Sequence, residues 1–173
     1  MKPHSRLTPA YKNPRPVSDG VTIGHVHLKT ADLQRVFDFY VGILGFDVIA
    51  HMPSALFLSV GGYHHDLAFN TWESEGGTPP PAGTTGLYHI ALRYPTRKDL
   101  AQAVVRLAEA GWPLQGTSDH GTHEAIYLED ADTNGLELCW DRPEEEWPID
   151  DAGHLGFVSK ALDIQELLTE LQK

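Results

Sequence analysis

Apolar and polar residues change period along this chain, and the changes mark its elements. Residues 21–30 alternate as a strand does. Behind Asp32, a suitable helix N-cap, Leu33, Val36, Phe37 and Tyr40 recur at helical spacing, and Gly42 and Gly45 frame the end of that segment. Three strands are expected next, at 46–50, 55–60 and 64–70, with Gly61-Gly62 as the tight turn between the last two. Residues 74–85, with Gly76-Gly77 and Pro79-Pro80-Pro81, have no core-forming pattern and read as a linker.

The same order then begins again. Residues 87–94 form a strand, and 98–110 a helix with Leu100, Val104, Leu107 and Ala108 on one face. Strands follow at 112–115, 124–129 and 136–141, the last two joined by the turn-forming run Asp130-Ala-Asp-Thr-Asn134-Gly135. Ile23-Gly-His25-Val-His27-Leu28 aligns with Leu87-Tyr-His89-Ile-Ala91-Leu92, and Leu44-Gly45-Phe46 with Ala110-Gly111-Trp112. From His25 to Gly45 is 20 residues and from His89 to Gly111 is 22, so a two-residue loop difference reconciles the halves. The fold class is α+β. Two paired βαβββ modules (21–73 and 86–143) form a half-open β-barrel around a metal site and make one domain, 21–148. An extended arm (1–20) precedes it, and a tail with a C-terminal helix around 160–171 (149–173) follows, its Leu162, Leu167, Leu168 and Leu171 forming an apolar stripe.

Composition narrows the picture. A chain of 173 residues with 41% hydrophobic content supports one well-formed core. A formal charge of −11 argues against nucleic-acid or anionic-membrane partners, which call for basic patches. A lone Cys139 excludes an internal disulfide framework, and no apolar run has the length of a membrane span or a signal-peptide core, so a soluble cytoplasmic protein is expected. The arm and terminal helix suit a homo-oligomer.

Ten histidines stand out. His25 and His27 share a strand face, yet only His25 superposes on His89, because His27 superposes on Ala91. Glu137 alternates against Leu136 and Leu138 on the last strand of the second module, where a carboxylate is costly to bury unless paired or metal-bound. His25, His89 and Glu137 together supply two imidazoles and a carboxylate, the open ligand set associated with non-haem Fe(II) oxygenases, which also holds Mn(II) or Zn(II). The competing role for Glu137 is to neutralise Arg93 or Arg142, and strand histidines are more often structural than metal-ligating.

The frame Gly-His25-Val-His-Leu, Asp32-Leu, Phe39-Tyr40 and Leu44-Gly45-Phe46, with His89 and Asn134-Gly-Leu-Glu137, resembles the vicinal-oxygen-chelate superfamily. That superfamily includes glyoxalase I, fosfomycin- and bleomycin-resistance proteins and extradiol ring-cleaving dioxygenases. Tyr63-His64-His65-Asp66-Leu67-Ala68-Phe69, Ser118-Asp119-His120-Gly121 and Tyr127, ten residues before Glu137, are similar to the single-domain catechol 2,3-dioxygenase (CatE-like) members. The resemblance implies Fe(II) on His25, His89 and Glu137, with Mn(II) as the other candidate ion. It implies His65 as acid/base, Tyr127 as hydrogen-bond partner of a catechol oxygen and His120 as a polarising group. The partners it implies are an aromatic diol and O2. On an assumed strand over 64–70, His65 shares a face with Leu67 and Phe69, which favours His65 rather than His64 pointing inward.

Two other readings stand beside this one. A glyoxalase- or epimerase-like isomerase would use a fourth ligand on the last strand of module one, where Asp66 is the one candidate. A metal-free aromatic-binding module would keep Phe57, Phe69 and Trp72 as lining without needing the triad.

Overall fold

A computed structural model describes residues 17–151, 153–156 and 158–173, so all but the last four residues of the expected arm lie outside the described residues. Module one runs β1 (Val26–Lys29), α1 (Leu33–Phe37), β2 (Asp47–Met52), β3 (Ala55–Ser59) and β4 (Leu67–Asn70). Module two runs β5 (Ile90–Arg93), α2 (Arg97–Glu109), β6 (Leu114–Asp119), β7 (His123–Glu129) and β8 (Gly135–Asp141), and α3 (Ile164–Leu168) lies in the tail. Each module forms a four-stranded mixed sheet, ordered β1-β4-β3-β2 and β5-β8-β7-β6. The α+β class and two-module plan agree with the sequence, and the two sheets do not close into a barrel.

Local chemistry explains the elements. The Asp32 carboxylate accepts from the Gln34 and Arg35 amides to start α1, and Thr96 Oγ1 accepts from the Asp99 amide to start α2. α1 widens into a π turn at Asp38–Ile43, closed by Leu44 N–H donating to Phe39 O. That widening lets the adjacent Phe39 and Tyr40 both reach zero exposure, where a single helical stripe would bury one of them. Gly45 takes a positive φ of 85°, and a Cβ there would collide with the Arg106 guanidinium.

The repeat persists in the hydrogen-bond ladders. Val26 pairs with Leu67 and His27 with Ala68, as Ile90 pairs with Leu136 and Ala91 with Glu137. Phe57 opposes Ala68 as Tyr127 opposes Glu137. Even the bulge recurs, between Val48 and Ala50 in one module and between Leu114 and Gly116 in the other. One apolar core joins the halves, from Leu33, Val36 and Phe39 to Leu100, Leu107 and Leu138. Polar ties reinforce it: buried Tyr40 donates to Asp130 Oδ2 at 3.0 Å, Thr30 Oγ1 bonds Asp132, and Arg35 donates to Ala131 O.

Several strands are shorter than their sequence pattern. β1, β4 and β5 begin at Val26, Leu67 and Ile90, so His25, His64, His65 and His89 lie just ahead of strands rather than inside them. β6 is longer than expected, because β7 pairs with it as far as Asp119, where the tail adds a bridge on the other side: Asp119 and Lys160 exchange two backbone bonds of 2.9 Å.

Candidate metal centre

Glu137 sits on β8 at 6% exposure, with both carboxylate oxygens engaged by imidazoles. Its Oε2 lies 2.9 Å from His89 Nε2 and its Oε1 2.9 Å from His123 Nε2. The arginines that the sequence offered as partners go elsewhere. Arg93 pairs with Asp141, and Arg142 with Asp119 and Glu124. A buried carboxylate facing imidazole nitrogens without a Lys or Arg on it is a donor set that fits a divalent cation. Gly135 opens β8 against the β5 approach: a Cβ there would overlap the Tyr88 carbonyl and lie 3.1 Å from His89 Cβ, so glycine permits the close approach of His89 to Glu137.

His25 belongs to a second cluster. Its ring centroid lies 4.4 Å from that of His65, which is 5.3 Å from Phe57 and 4.6 Å from His64. His25 and His89 both stand on the wall of a cavity of about 640 Å3 between the first strands of the modules, whose lining does not include Glu137, His65 or Tyr127. Among the described residues no three His, Cys, Asp or Glu side chains are gathered as a complete metal-binding group. The structure therefore unites His89 with Glu137 and sets His25 beside His65.

His65 reaches His25 for a different reason from the one the sequence suggested. Leu67 and Phe69 face the helix-packed core at 2% and 0% exposure, and a strand through residue 65 would have sent His65 there too. Because β4 starts at Leu67, His65 escapes that alternation and packs on the side of His25 and Phe57. Desolvation, then the neighbouring His25 and His64, lower its pKa below the ordinary imidazole value. Asp66 is occupied in capping its own hairpin, accepting from Ser59 Oγ at 3.0 Å and the Val60 amide at 2.9 Å. Ala68, not an acid, holds the place in module one that Glu137 holds in module two.

Tyr127 and His120 lie in the Glu137 cluster. The Tyr127 hydroxyl is 2.9 Å from His120 Nε2, and burial followed by the Glu137 charge pushes its pKa up to about 12, so it stays protonated. His120 stacks on His123 at 4.7 Å. The contact of His123 with Glu137 escaped sequence reasoning, which began that strand one residue later, at 124. The signal was its place opposite Asp141 at the start of β7, where the side chain leans toward Glu137 across the ladder.

A family model described as the Glyoxalase/Bleomycin resistance protein/Dioxygenase superfamily matches residues 22–138. The chain is 35% identical over 154 residues to catechol-2,3-dioxygenase of Bacillus subtilis (strain 168), covering 89% of this chain and 53% of that protein. It is 30% identical over 126 residues to biphenyl-2,3-diol 1,2-dioxygenase 3 of Rhodococcus globerulus, covering 71% of this chain and 66% of that one. The chain thus spans about half to two thirds of the length of these relatives. Among solved structures, a glyoxalase/dioxygenase from Nostoc punctiforme superposes with a TM-score of 0.62 at 19% identity, over 76% of this chain and 99% of that one. A glyoxylase/bleomycin resistance protein/dioxygenase domain from Frankia sp. EAN1pec gives 0.58 at 25% identity, over 73% and 100%.

Proposed function

Because the chain belongs to the Glyoxalase/Bleomycin resistance protein/Dioxygenase superfamily, we propose that it is an extradiol dioxygenase, opening a catechol-type aromatic diol with Fe(II) and O2. The observation that carries this reading is the asymmetry between equivalent positions: a buried Glu137 flanked by imidazoles in module two, against Ala68 in module one. One carboxylate with His25 and His89 makes an open site, whereas a second acid at residue 68 would favour the closed, four-ligand arrangement of the isomerases. The similarity to named catechol and biphenyl-diol dioxygenases supports the same choice.

In this reading His25, His89 and Glu137 hold the ion, Fe(II) in preference to Mn(II). An ion held there would place positive charge beside the diol oxygens and favour loss of a hydroxyl proton, while the electrons that reduce O2 come from the diol whose ring is cleaved. His65, kept neutral by its surroundings, accepts a hydroxyl proton and returns it as the ring opens. The Tyr127 hydroxyl, held by His120, hydrogen-bonds a diol oxygen.

The test is anaerobic loading with Fe(II), then catechol and air, with absorbance of the yellow ring-fission product as readout. Glu137→Ala is expected to lose iron, and His65→Ala to keep iron while turnover falls by roughly 10^2–10^4-fold. Retained turnover in both variants would overturn the proposal.

A further inference from the structure

The tail lies outside the repeat, yet part of it touches the site. His120 Nδ1 lies 3.0 Å from the carbonyl oxygen of Val158, and its Nε2 lies 2.9 Å from the Tyr127 hydroxyl. The segment carrying that carbonyl is well anchored. Lys160 exchanges two backbone bonds of 2.9 Å with Asp119, and Ser159 Oγ lies 3.1 Å from Ser118 Oγ. Gly121, at a φ of 75°, leaves room for the tail: a Cβ there would come within 3.0 Å of Pro148 Cγ and 3.5 Å of Val158 Cβ.

We propose that residues 158–160 are a working part of the site, in which the Val158 carbonyl fixes His120 as the Nδ1–H tautomer and thereby sets the direction of the Tyr127 hydrogen bond. A carbonyl oxygen only accepts, so the proton of the His120–Val158 bond resides on Nδ1. Neutral imidazole has one N–H, which leaves Nε2 as an acceptor and makes Tyr127 the donor to it; the Glu137 carboxylate also lies within reach of the hydroxyl, but both its oxygens already face His89 and His123. With its hydrogen committed to His120, the Tyr127 oxygen presents lone pairs and accepts from a substrate hydroxyl. The other tautomer would reverse this, freeing the tyrosine O–H to donate to a substrate oxygen. Val158 is therefore a positioning residue, acting through His120 and Tyr127, and the site selects a ligand that still carries an O–H at that point.

The role toward substrate rests on the proposed dioxygenase function, whereas the tautomer does not. The test uses the whole chain with 15N-labelled histidine at a pH above the imidazole range, with the His120 signals assigned by their absence in His120→Gln. A pyrrole-type Nδ1 and a pyridine-type Nε2 are expected; an Nε2–H form, or an imidazole protonated at both nitrogens, overturns the proposal. Replacing the Ser159 amide by an ester, which weakens the Val158 carbonyl as an acceptor, should raise the Nε2–H population. It should also lower kcat by roughly 3–10-fold with iron content unchanged, and do nothing further in a Tyr127→Phe background. An unmoved tautomer, or loss of iron with the ester, overturns the positioning role. If the unmodified protein opens no catechol, the dioxygenase reading fails while the same spectra still report the tautomer.

Discussion

His123 and Glu137 show how much one side chain depends on its neighbours. The carboxylate can only accept, so His123 Nε2 donates to Oε1 while Thr122 Oγ1, 2.9 Å from Nδ1, supplies the complementary donor to a neutral ring. Oε1 is thereby anchored and Oε2 is left toward His89. Partners of this kind commonly contribute about 10–100-fold to metal affinity, so His123→Leu should weaken Fe(II) or Co(II) binding by about that factor. His123→Gln, which keeps a donor, should recover part of it. Competition titration against a chelator measures both, and equal affinity in all three proteins would refute the role. At this scale the sequence was informative where the repeat compares like with like. It separated His25 from His27, and the ladders show why: His27 opposes Ala68 while Ala91 opposes Glu137, so one large and one small residue share the same room in each module.

Among the elements, β8 depends on a residue without a side chain. Gly135→Ala would drive a methyl group into the Tyr88 carbonyl and shift the approach to β5. A cost of about 1–3 kcal/mol in denaturant unfolding is expected, together with weaker metal binding as His89 moves. The tail helix α3 is held by charge instead. Arg97 reaches Glu124 at 2.8 Å and Glu170 at 3.0 Å and also pairs with Glu166, while Glu124, 1% exposed, is shared with Arg142 at 2.6 Å. The Arg97 bond lowers the Glu166 pKa, and Lys173 and then Arg97 lower that of Glu170. Carboxyls depressed on folding contribute stability above their unfolded pKa and lose it as the pH falls through the lower folded values. Protection factors of amides across 164–172, corrected for the slower intrinsic exchange in acid, should therefore fall on acidification, and Arg97→Met should give low protection already at neutral pH. Element ends were the least legible feature of the sequence: pairing with β7 carries β6 on to Asp119, and β4 starts late because Asp66 caps the hairpin before it.

As a whole, the molecule is two similar halves that cannot be separated cheaply. Phe39 stacks on Trp112 at 4.4 Å, Tyr40 reaches Asp130, and the Arg106 guanidinium bonds Leu44 O at 3.2 Å, each contact crossing between modules. Unfolding should be a single transition, with tryptophan fluorescence and far-UV dichroism coinciding. Tyr40→Phe should lower stability by about 1 kcal/mol, toward the small end of the range, because Asp130 still accepts from the Asp132 and Asn134 amides. Two separable transitions would contradict the shared core. Among the described residues no helix is long and apolar enough to cross a membrane.

By itself the sequence determined the α+β repeat, the equivalent positions of His25 and His89 in it and the unusual carboxylate Glu137, since periodicity and equivalence between modules are properties of linear order. Only the tertiary structure decided that His123 engages Glu137, that His65 lies against His25 and that the tail reaches His120. Those contacts depend on where each strand begins, and strand ends are fixed by pairing and capping partners remote in the chain rather than by local pattern.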